Sequence, residues 1–308
     1  MAVPVIDLRD DDAPAHIDEA CRTWGFFSIV GHGVPAAVID GAWREMQAFF
    51  ALPTEAKLAV HVPDHPYGYF PMASERLARS LGDETPPDLK ESFNLGPLPR
   101  SDDGSGAFGS HERLWPEEPV GLRDAWTAYY DHVGELGDRL MRLFALALDL
   151  DAGFFDRFLD RPLHALRGLH YPPVRSALPG QLRAGPHSDY GTLTILLPGP
   201  GRGGLEIHQD GLWVRPECPE GGFVVNVGDL MAHWTCDRWR STLHRVALPP
   251  DGHGDEDRCS MAFFHTPNWA AEVTPLPSCA TPDQLDLTEP VLAGPWLQAK
   301  FEAASTGG

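Results

Sequence analysis

The second half of the chain consists of short β-type runs separated by turn residues. From about residue 165 onward, apolar and β-branched stretches alternate with glycine, proline and aspartate. Many short strands with such punctuation are typical of a β-sandwich or β-barrel. Asp210-Gly211 lies inside one run and suits a hairpin turn, which needs positive φ angles. The runs are HALRGLHY (164–171), GTLTILLPG (191–199), GLEIHQDGLWV (204–214), GGFVVNVGDL (221–230), STLHRVALPP (241–250) and CSMAFFHTP (259–267).

The first half of the chain has a different pattern, dominated by helical periodicity and irregular segments. Apolar residues at helical spacing predict helices over 14–24, over 39–50 and, as the longest element, over 122–150. The run FFSIV (26–30) predicts a strand between the first two helices. Residues 61–118 are rich in proline, glycine and charge, which predicts long loops with short elements and a lid over a pocket.

Together these patterns predict a fold that is mainly β with flanking α-helices. We expect its core to be a double-stranded β-helix (jelly roll, cupin-like). Residues 1–118 form an N-terminal helical and loop region that wraps the core, and residues 119–308 contribute the long helix and the core itself. Because β-folds of 308 residues often remain one domain, we expect one integrated unit.

Composition excludes several classes of partner. The net charge is −20, from 24 basic and 44 acidic residues, whereas nucleic acids and anionic membranes attract basic surfaces. The five cysteines contain no C-x-x-C pair, which disfavours a cysteine zinc site or a disulfide framework and favours a reducing compartment. No secretory leader and no apolar run of membrane-spanning length is evident. We therefore expect a cytoplasmic protein that binds neither nucleic acid nor membrane, and its oligomeric state stays open.

Three residues have the chemistry and spacing of a metal site. His187 and Asp189 are two residues apart, so on a strand their side chains point to the same face. His244 follows in a distant β-type run. Two imidazoles and one carboxylate on one face of a metal, with the other positions open, are typical of non-haem Fe(II) oxygenases. A structural zinc site, the alternative, generally uses four closed protein ligands.

A second pair with the same spacing predicts an anion site. Arg258 and Ser260 can converge on one face of a strand. A guanidinium forms a planar, charge-assisted clamp on a carboxylate, and the hydroxyl adds a third donor. The alternative for Arg258 is an exposed, salt-bridging residue in the acidic run that precedes it.

Several segments, in this order along the chain, resemble the iron(II)/2-oxoglutarate-dependent dioxygenases of the isopenicillin N synthase-like group. The resemblance spans nearly the whole chain. The segments are VPVIDL (3–8), WGFFSIVGHGV (24–34), DLKESFNLG (88–96), the Trp115-Pro116 pair, GPHSDYGTLTILL (185–197), FVVNVGDLMAHWTCDRWRSTLHRV (223–246) and RCSMAFFHTPN (258–268).

The resemblance implies the site and the activity. His187, Asp189 and His244 match the iron ligands, and Arg258 and Ser260 match the pair that binds the distal carboxylate of 2-oxoglutarate. Tyr171 matches a tyrosine that often supports this cosubstrate, although packing at a strand end is the alternative. The implied protein is an oxidoreductase that uses Fe(II), O2 and 2-oxoglutarate to hydroxylate a small molecule, releasing succinate and CO2.

Other activities remain open at this point. An oxidase of the isopenicillin N synthase or aminocyclopropanecarboxylate oxidase kind would not consume 2-oxoglutarate, and desaturation or cyclisation start from the same site. A ligand sensor without turnover is disfavoured by the intact metal triad. His170 stands where some relatives carry arginine, and it either faces the substrate or fills space. Kinship of fold does not choose the substrate.

Overall fold

A computed structural model describes residues 2–63, 65–99, 104–109, 112–174, 177–200, 204–249 and 257–304. The α-helices are α1 (Ala13–Thr23), α2 (Ala36–Phe50), α3 (Thr54–Leu58), α4 (Leu122–Ala147), α5 (Asp229–Trp234), α6 (Pro282–Leu287) and α7 (Ala293–Ala304). Short 3-10 helices cover Leu77–Leu81, Gly106–Phe108 and Asp156–Phe158. The strands are β1 (Val5–Asp7), β2 (Phe26–Val30), β3 (Gly68–Phe70), β4 (Glu91–Leu95), β5 (Ala165–Tyr171), β6 (Ala184–His187), β7 (Leu193–Pro198), β8 (Gly204–Gln209), β9 (Leu212–Val214), β10 (Phe223–Val227), β11 (His244–Ala247), β12 (Arg258–His265), β13 (Glu272–Val273) and β14 (Val291–Leu292).

Two sheets form the core. The major sheet has eight strands in the order β1-β2-β10-β7-β12-β5-β4-β3, and the minor sheet has four in the order β6-β11-β8-β9. The pocket described below is lined by residues of both sheets, so it lies between them. The fold is therefore mainly β with flanking helices, as predicted, and its jelly-roll class is confirmed by the solved relatives reported below.

Side-chain alternation on β12 separates the pocket from the hydrophobic core. Arg258, Ser260, Ala262 and Phe264 line the pocket. The intervening side chains point to the other face, as the period of two requires. Phe263, for example, is fully buried and packs edge-on against Tyr130 of α4, with ring centroids 5.3 Å apart. The strand thus has one face for chemistry and one for packing.

Helix α4 covers the outer face of the major sheet. Its buried stripe runs from Trp126 to Phe144 at helical spacing. The Trp126 ring lies 5.3 Å from Phe93 of β4, and Phe144 lies 6.4 Å from Phe27 of β2. Each fully buried aromatic side chain stabilises the fold by about 1.5–3 kcal/mol. The helix therefore holds strands from both ends of the sheet to one layer.

Residues 61–118 hold loops and short elements, as predicted, and two of these elements are the strands β3 and β4 of the major sheet. Elsewhere the elements agree with the sequence in most places and differ in two. The predicted β-type run 221–230 ends early, because Asp229 and Leu230 begin the short helix α5. The run around Asp189 is not one strand, because β6 ends at His187 and β7 begins at Leu193. The hairpin prediction is confirmed, with φ of 50° at Asp210 and 82° at Gly211.

The N-terminal region is part of the major sheet. β2 pairs with β10, and β4 pairs with β5, so β1 to β4 form both edges of the sheet. The division at residue 118 stays a prediction. Among the described residues, no helix has the length and apolarity that crossing a bilayer requires.

Candidate active site

Two histidines and one aspartate meet where β6 and β11 pair. His187 ends β6, His244 begins β11, and the two residues are opposite each other in the antiparallel register. Asp189 lies in the loop after β6, so it reaches the same point from a turn and not from the strand on which the spacing argument placed it. Its Oδ1 is 3.9 Å from Nε2 of His187 and 3.7 Å from Nε2 of His244. The structure thus brings all three predicted ligands together.

Hydrogen bonds orient each of these side chains for metal binding. Nδ1 of His187 lies 2.8 Å from the carbonyl oxygen of Gly185, and Nδ1 of His244 lies 3.0 Å from that of Thr242. A carbonyl only accepts, so both Nδ1 atoms carry the proton and both Nε2 atoms present a lone pair. Asn226 donates to Oδ2 of Asp189 at 2.8 Å, which leaves Oδ1 directed at the histidines.

The charges of the triad also suit a metal. Burial, together with the neighbouring His244, lowers the pKa of His187 to about 4, so its imidazole is neutral at pH 7. Burial opposes ionisation of Asp189, but the neighbouring histidines, the polar side chain of Thr194 and the hydrogen bond from Asn226 together outweigh it, so the pKa of this carboxyl is lowered. Neutral imidazole and ionised carboxylate are the forms that ligate metals. With three ligands and no thiolate, the set suits an open, redox-active iron site.

A second cluster shows why proximity alone does not define such a site. Asp138, His164 and His265 also bring two histidines and a carboxylate within 4.8 Å of one another. Here, however, Nδ1 of His164 accepts a hydrogen bond from the backbone N–H of Thr266 at 3.0 Å. A neutral imidazole has one N–H, so Nε2 must carry it and cannot ligate a metal as a neutral ring. Of the two clusters, the tautomers select His187, Asp189 and His244.

Arg258, Ser260 and Tyr171 form the other end of the same pocket. Arg258 and Ser260 lie on β12 with their side chains on one face, and Tyr171 of β5 is the register partner of Arg258. Carbon Cζ of Arg258 is 5.8 Å from the centre of the Tyr171 ring. The backbone of Gly204 approaches the guanidinium so closely that a Cβ there would lie 3.0 Å from Cζ.

Arg258 is a buried cation without a carboxylate partner among the described residues. It is 7% exposed, and its Nε has no hydrogen-bond partner. Burial lowers the pKa of the guanidinium, and no carboxylate among the described residues is a cause that opposes this shift. An uncompensated buried charge is strongly unfavourable. The site therefore fits an anionic ligand, and 2-oxoglutarate has the carboxylate that it requires.

Comparison with known proteins identifies the family. Residues 3–118 match the N-terminal domain of the non-haem dioxygenase in morphine synthesis, and residues 162–267 match the 2OG-Fe(II) oxygenase superfamily. The validamycin A dioxygenase of Streptomyces hygroscopicus subsp. limoneus is 35% identical over 292 residues, covering 89% of this chain and 80% of the relative. The chain belongs to the iron(II)/2-oxoglutarate-dependent oxygenases.

Other relatives of this oxygenase agree. The 2-oxoglutarate-dependent dioxygenase thnC of Trichoderma harzianum is 29% identical over 280 residues, which are 86% of this chain and 85% of the relative. A full-length Neurospora crassa protein, solved in complex with alpha-KG and thymine, superposes with a TM-score of 0.84 at 30% identity and covers 97% of this chain and 96% of its own. The protein is thus an oxidoreductase that uses Fe(II), O2 and 2-oxoglutarate to oxidise a small molecule.

The oxygenase pocket has a polar floor and mostly apolar walls. Beyond the predicted ligands, it is lined by Tyr190 and by the cations Lys90 and Arg167. The remaining wall comes mainly from aliphatic and aromatic side chains. The aromatic ones among them, Tyr67, Phe108, Phe264 and Phe301, come from distant parts of the chain.

Two histidines near the site face away from the pocket. His170 lies between Leu169 and Tyr171, which line the pocket, so the period of two turns it outward. Its ring stacks on Phe50 at 5.2 Å and bonds to Glu91 at 2.6 Å. His265, next to Phe264 of the pocket wall, is fully buried against α4. Neither ring is placed to touch a substrate.

The residues that support the predicted iron ligands gave little signal in the sequence. Asn226, Gly185 and Thr242 contact the triad through amide and carbonyl groups. Asn226 has one recognisable signal, because a polar residue interrupts the apolar run FVVNV of β10. Gly185 and Thr242 act through backbone atoms, for which the side chain gives no signal.

Proposed function

We propose that this oxygenase hydroxylates a small molecule at an iron held by His187, Asp189 and His244. Arg258 and Ser260 bind the distal carboxylate of 2-oxoglutarate, and Tyr171 packs beside them. The observation that carries the proposal is a pocket with three converging ligand atoms and a buried guanidinium that has no carboxylate partner among the described residues. A structural zinc site would use four closed protein ligands, and an exposed arginine would not be buried beside the triad.

The side chains divide the work of the reaction. The triad would hold the metal through three side chains and leave it open to further ligands. The Arg258 guanidinium orients 2-oxoglutarate by charge and geometry. Apolar walls such as Leu196 and Val246 exclude water from the reacting groups. The iron supplies the oxidising power when it is bound.

The pocket favours a flat, mainly apolar substrate that carries a hydrogen-bond acceptor. Among the described lining residues, Asp189 is the one carboxylate, and it would ligate the iron. A cationic substrate would therefore have no carboxylate partner among these residues. Arg167 offers donors, and the rings of Tyr67, Phe108 and Phe301 offer stacking surfaces. The thymine bound by the Neurospora crassa relative is a flat ring of this kind, whereas the bacterial relative is named for validamycin A.

The test is a screen of flat heterocycles, thymine first, with validamycin A included. Fe(II)-loaded protein is incubated with 2-oxoglutarate and O2, and succinate is measured against substrate loss. The expected product gains one oxygen, and a loss of two hydrogens would indicate desaturation instead. Asp189→Ala should abolish coupled succinate formation. If substrate is consumed without succinate, the protein is an oxidase that does not use 2-oxoglutarate.

We also propose that the protein works in the cytoplasm, without nucleic acid or membrane. Support comes from the net charge of −20, since both partners attract basic surfaces. Sedimentation with DNA or with anionic vesicles at low salt should leave the protein in the supernatant. Co-sedimentation with either would contradict this part of the proposal.

A further inference from the structure

Four buried charged side chains of alternating sign connect the pocket wall with strand β6, which carries His187. They are Arg167, Glu75, Lys90 and Asp88. Arg167 donates to Glu75 at 2.5 Å, Lys90 lies 3.1 Å from the same carboxylate, and Lys90 also bonds Asp88 at 3.0 Å. Their side chains are between 1% and 13% exposed. The two cations and the two anions balance, so this group of four side chains is neutral. Arg167 and Lys90 line the pocket, so the two cations of this group contact the cavity.

Asp88, the member of this group farthest from Arg167, contacts the strand that carries His187. Oδ1 of Asp88 accepts a hydrogen bond from the backbone N–H of Gly185 at 2.8 Å. The carbonyl oxygen of that same glycine accepts the Nδ1 proton of His187 at 2.8 Å. Oδ2 of Asp88 is held separately, by Lys90 and by the backbone N–H of Leu77 at 3.1 Å. Gly185 is therefore fixed from one side and fixes the imidazole on the other.

Stability alone is a weak explanation for this arrangement. Buried ion pairs lose much of their attraction to desolvation, and apolar replacements of similar volume are often neutral or stabilising. What a fully bonded buried network supplies is a defined geometry. Groups that orient a ligating histidine from behind commonly change metal affinity or activity by about 10- to 100-fold when they are removed.

We infer that Asp88 is a positioning residue for His187, acting through the backbone of Gly185, and that Lys90 and Glu75 hold its carboxylate in place. The inference rests on the proposed role of His187 as an iron ligand. A carboxylate is required at Asp88, because every partner it has is a donor. An amide there would turn an N–H group towards one of these donors.

The test is metal binding by the apo-protein, followed by the visible absorption of Co(II) under anaerobic conditions. Asp88→Asn should weaken Co(II) binding by about 10- to 100-fold. Glu91→Gln is the matched control. Glu91 begins β4 and also belongs to a buried ion pair, 2.8 Å from Lys57, and its described bonds do not reach β6. Both variants should unfold at lower temperature, but Glu91→Gln should bind Co(II) like the wild type.

Two further variants keep the outcomes distinct. His187→Ala should lose the Co(II) site, and if it binds like the wild type, the assignment of the iron ligands fails. If His187→Ala loses the site while Asp88→Asn keeps wild-type affinity, the positioning role alone is refuted. Lys90→Gln decides the matter by the same titration should Asp88→Asn not fold. It should weaken Co(II) binding measurably, though by less than the roughly 10- to 100-fold expected of Asp88→Asn. An unchanged affinity would refute the positioning role of the four charged side chains.

Discussion

Replacing Arg258 with methionine should have opposite effects on cosubstrate binding and on the stability of the apo-protein. The guanidinium is 7% exposed, its Nε is unbonded, and none of the described carboxylates pairs with it. Without 2-oxoglutarate, the protein therefore contains a buried charge that has lost its hydration. Methionine fills similar space without that charge, so the apo-protein should unfold at a higher temperature.

The burial of Arg258 also sets the range of 2-oxoglutarate affinity that the Arg258→Met variant should lose. Truncating one partner of a buried, hydrogen-bonded charge pair costs about 2–5 kcal/mol, much of it from the partner left unpaired. At about 1.4 kcal/mol per factor of ten, the Kd for 2-oxoglutarate should rise roughly 30- to 4,000-fold. Arg258→Lys keeps the charge but not the planar pair of donors, so its effect should be smaller.

Calorimetric titration of the Mn(II)-loaded protein with 2-oxoglutarate measures this affinity, and thermal unfolding of the apo-protein measures the second effect. Arg167→Met is the matched control, because Arg167 is paired with Glu75 and its loss leaves that buried carboxylate with Lys90 as its one remaining described cation. It should lower the unfolding temperature, whereas Arg258→Met should raise it. An unchanged Kd for Arg258→Met would show that the cosubstrate is anchored elsewhere. If Arg258→Met lowered the unfolding temperature of the apo-protein as much as Arg167→Met does, that result would refute the conclusion that Arg258 lacks a carboxylate partner.

Three further perturbations test the packing and charges around the site. Gly204→Ala should weaken 2-oxoglutarate binding in the same titration, because its φ is +113° and the new Cβ would lie 3.0 Å from Cζ of Arg258. Gly137→Ala should destabilise the protein by about 1–3 kcal/mol in urea unfolding, because its Cβ would meet His265 at 2.5 Å. Gly134→Ala on the same helix meets Phe263 at an ordinary 3.6 Å and should stabilise by up to about 1 kcal/mol; equal effects would refute the packing argument. Burial opposes ionisation of Glu75, but Arg167 and Lys90 lower its pKa from 4.5 to about 2. Its stabilisation is thus complete above pH 4.5 and is lost as the pH falls towards 2, so Glu75→Gln should show a weaker pH dependence of the urea midpoint over that range.

Residues that act through side chains at regular spacing could be found from the sequence. Arg258 and Ser260 lie on one strand, where the period of two alone brings them together. The outward position of His170 follows from the same rule, because its neighbour Tyr171 points inward. Asp189 converges with His187 for a different reason, since it belongs to a turn whose course depends on tertiary contacts.

Residues that act through the backbone or across long separations could not be found in this way. Asp88 reaches Gly185, and Gly185 reaches His187, through N–H and C=O groups that every sequence has. The end of the β-type run 221–230 differs from the prediction, because Asp229 and Leu230 begin helix α5 and a short apolar run does not distinguish helix from strand. The tautomer of His164, which decides against a second metal, depends on one N–H of Thr266.

The pairing of N-terminal strands with core strands sets the smallest fragment that can work. Val225 of β10 pairs with Phe27, and Gly168 of β5 pairs with Phe93, so the sheet depends on contacts of high sequence separation. Such topologies fold slowly, because distant segments must meet before the sheet closes. A fragment without residues 1–118 would leave β5 and β10 as bare sheet edges, which recruit other chains. The boundary between the two halves of this oxygenase is therefore a boundary in sequence motifs, and a cut there should yield aggregates and no catalytic core.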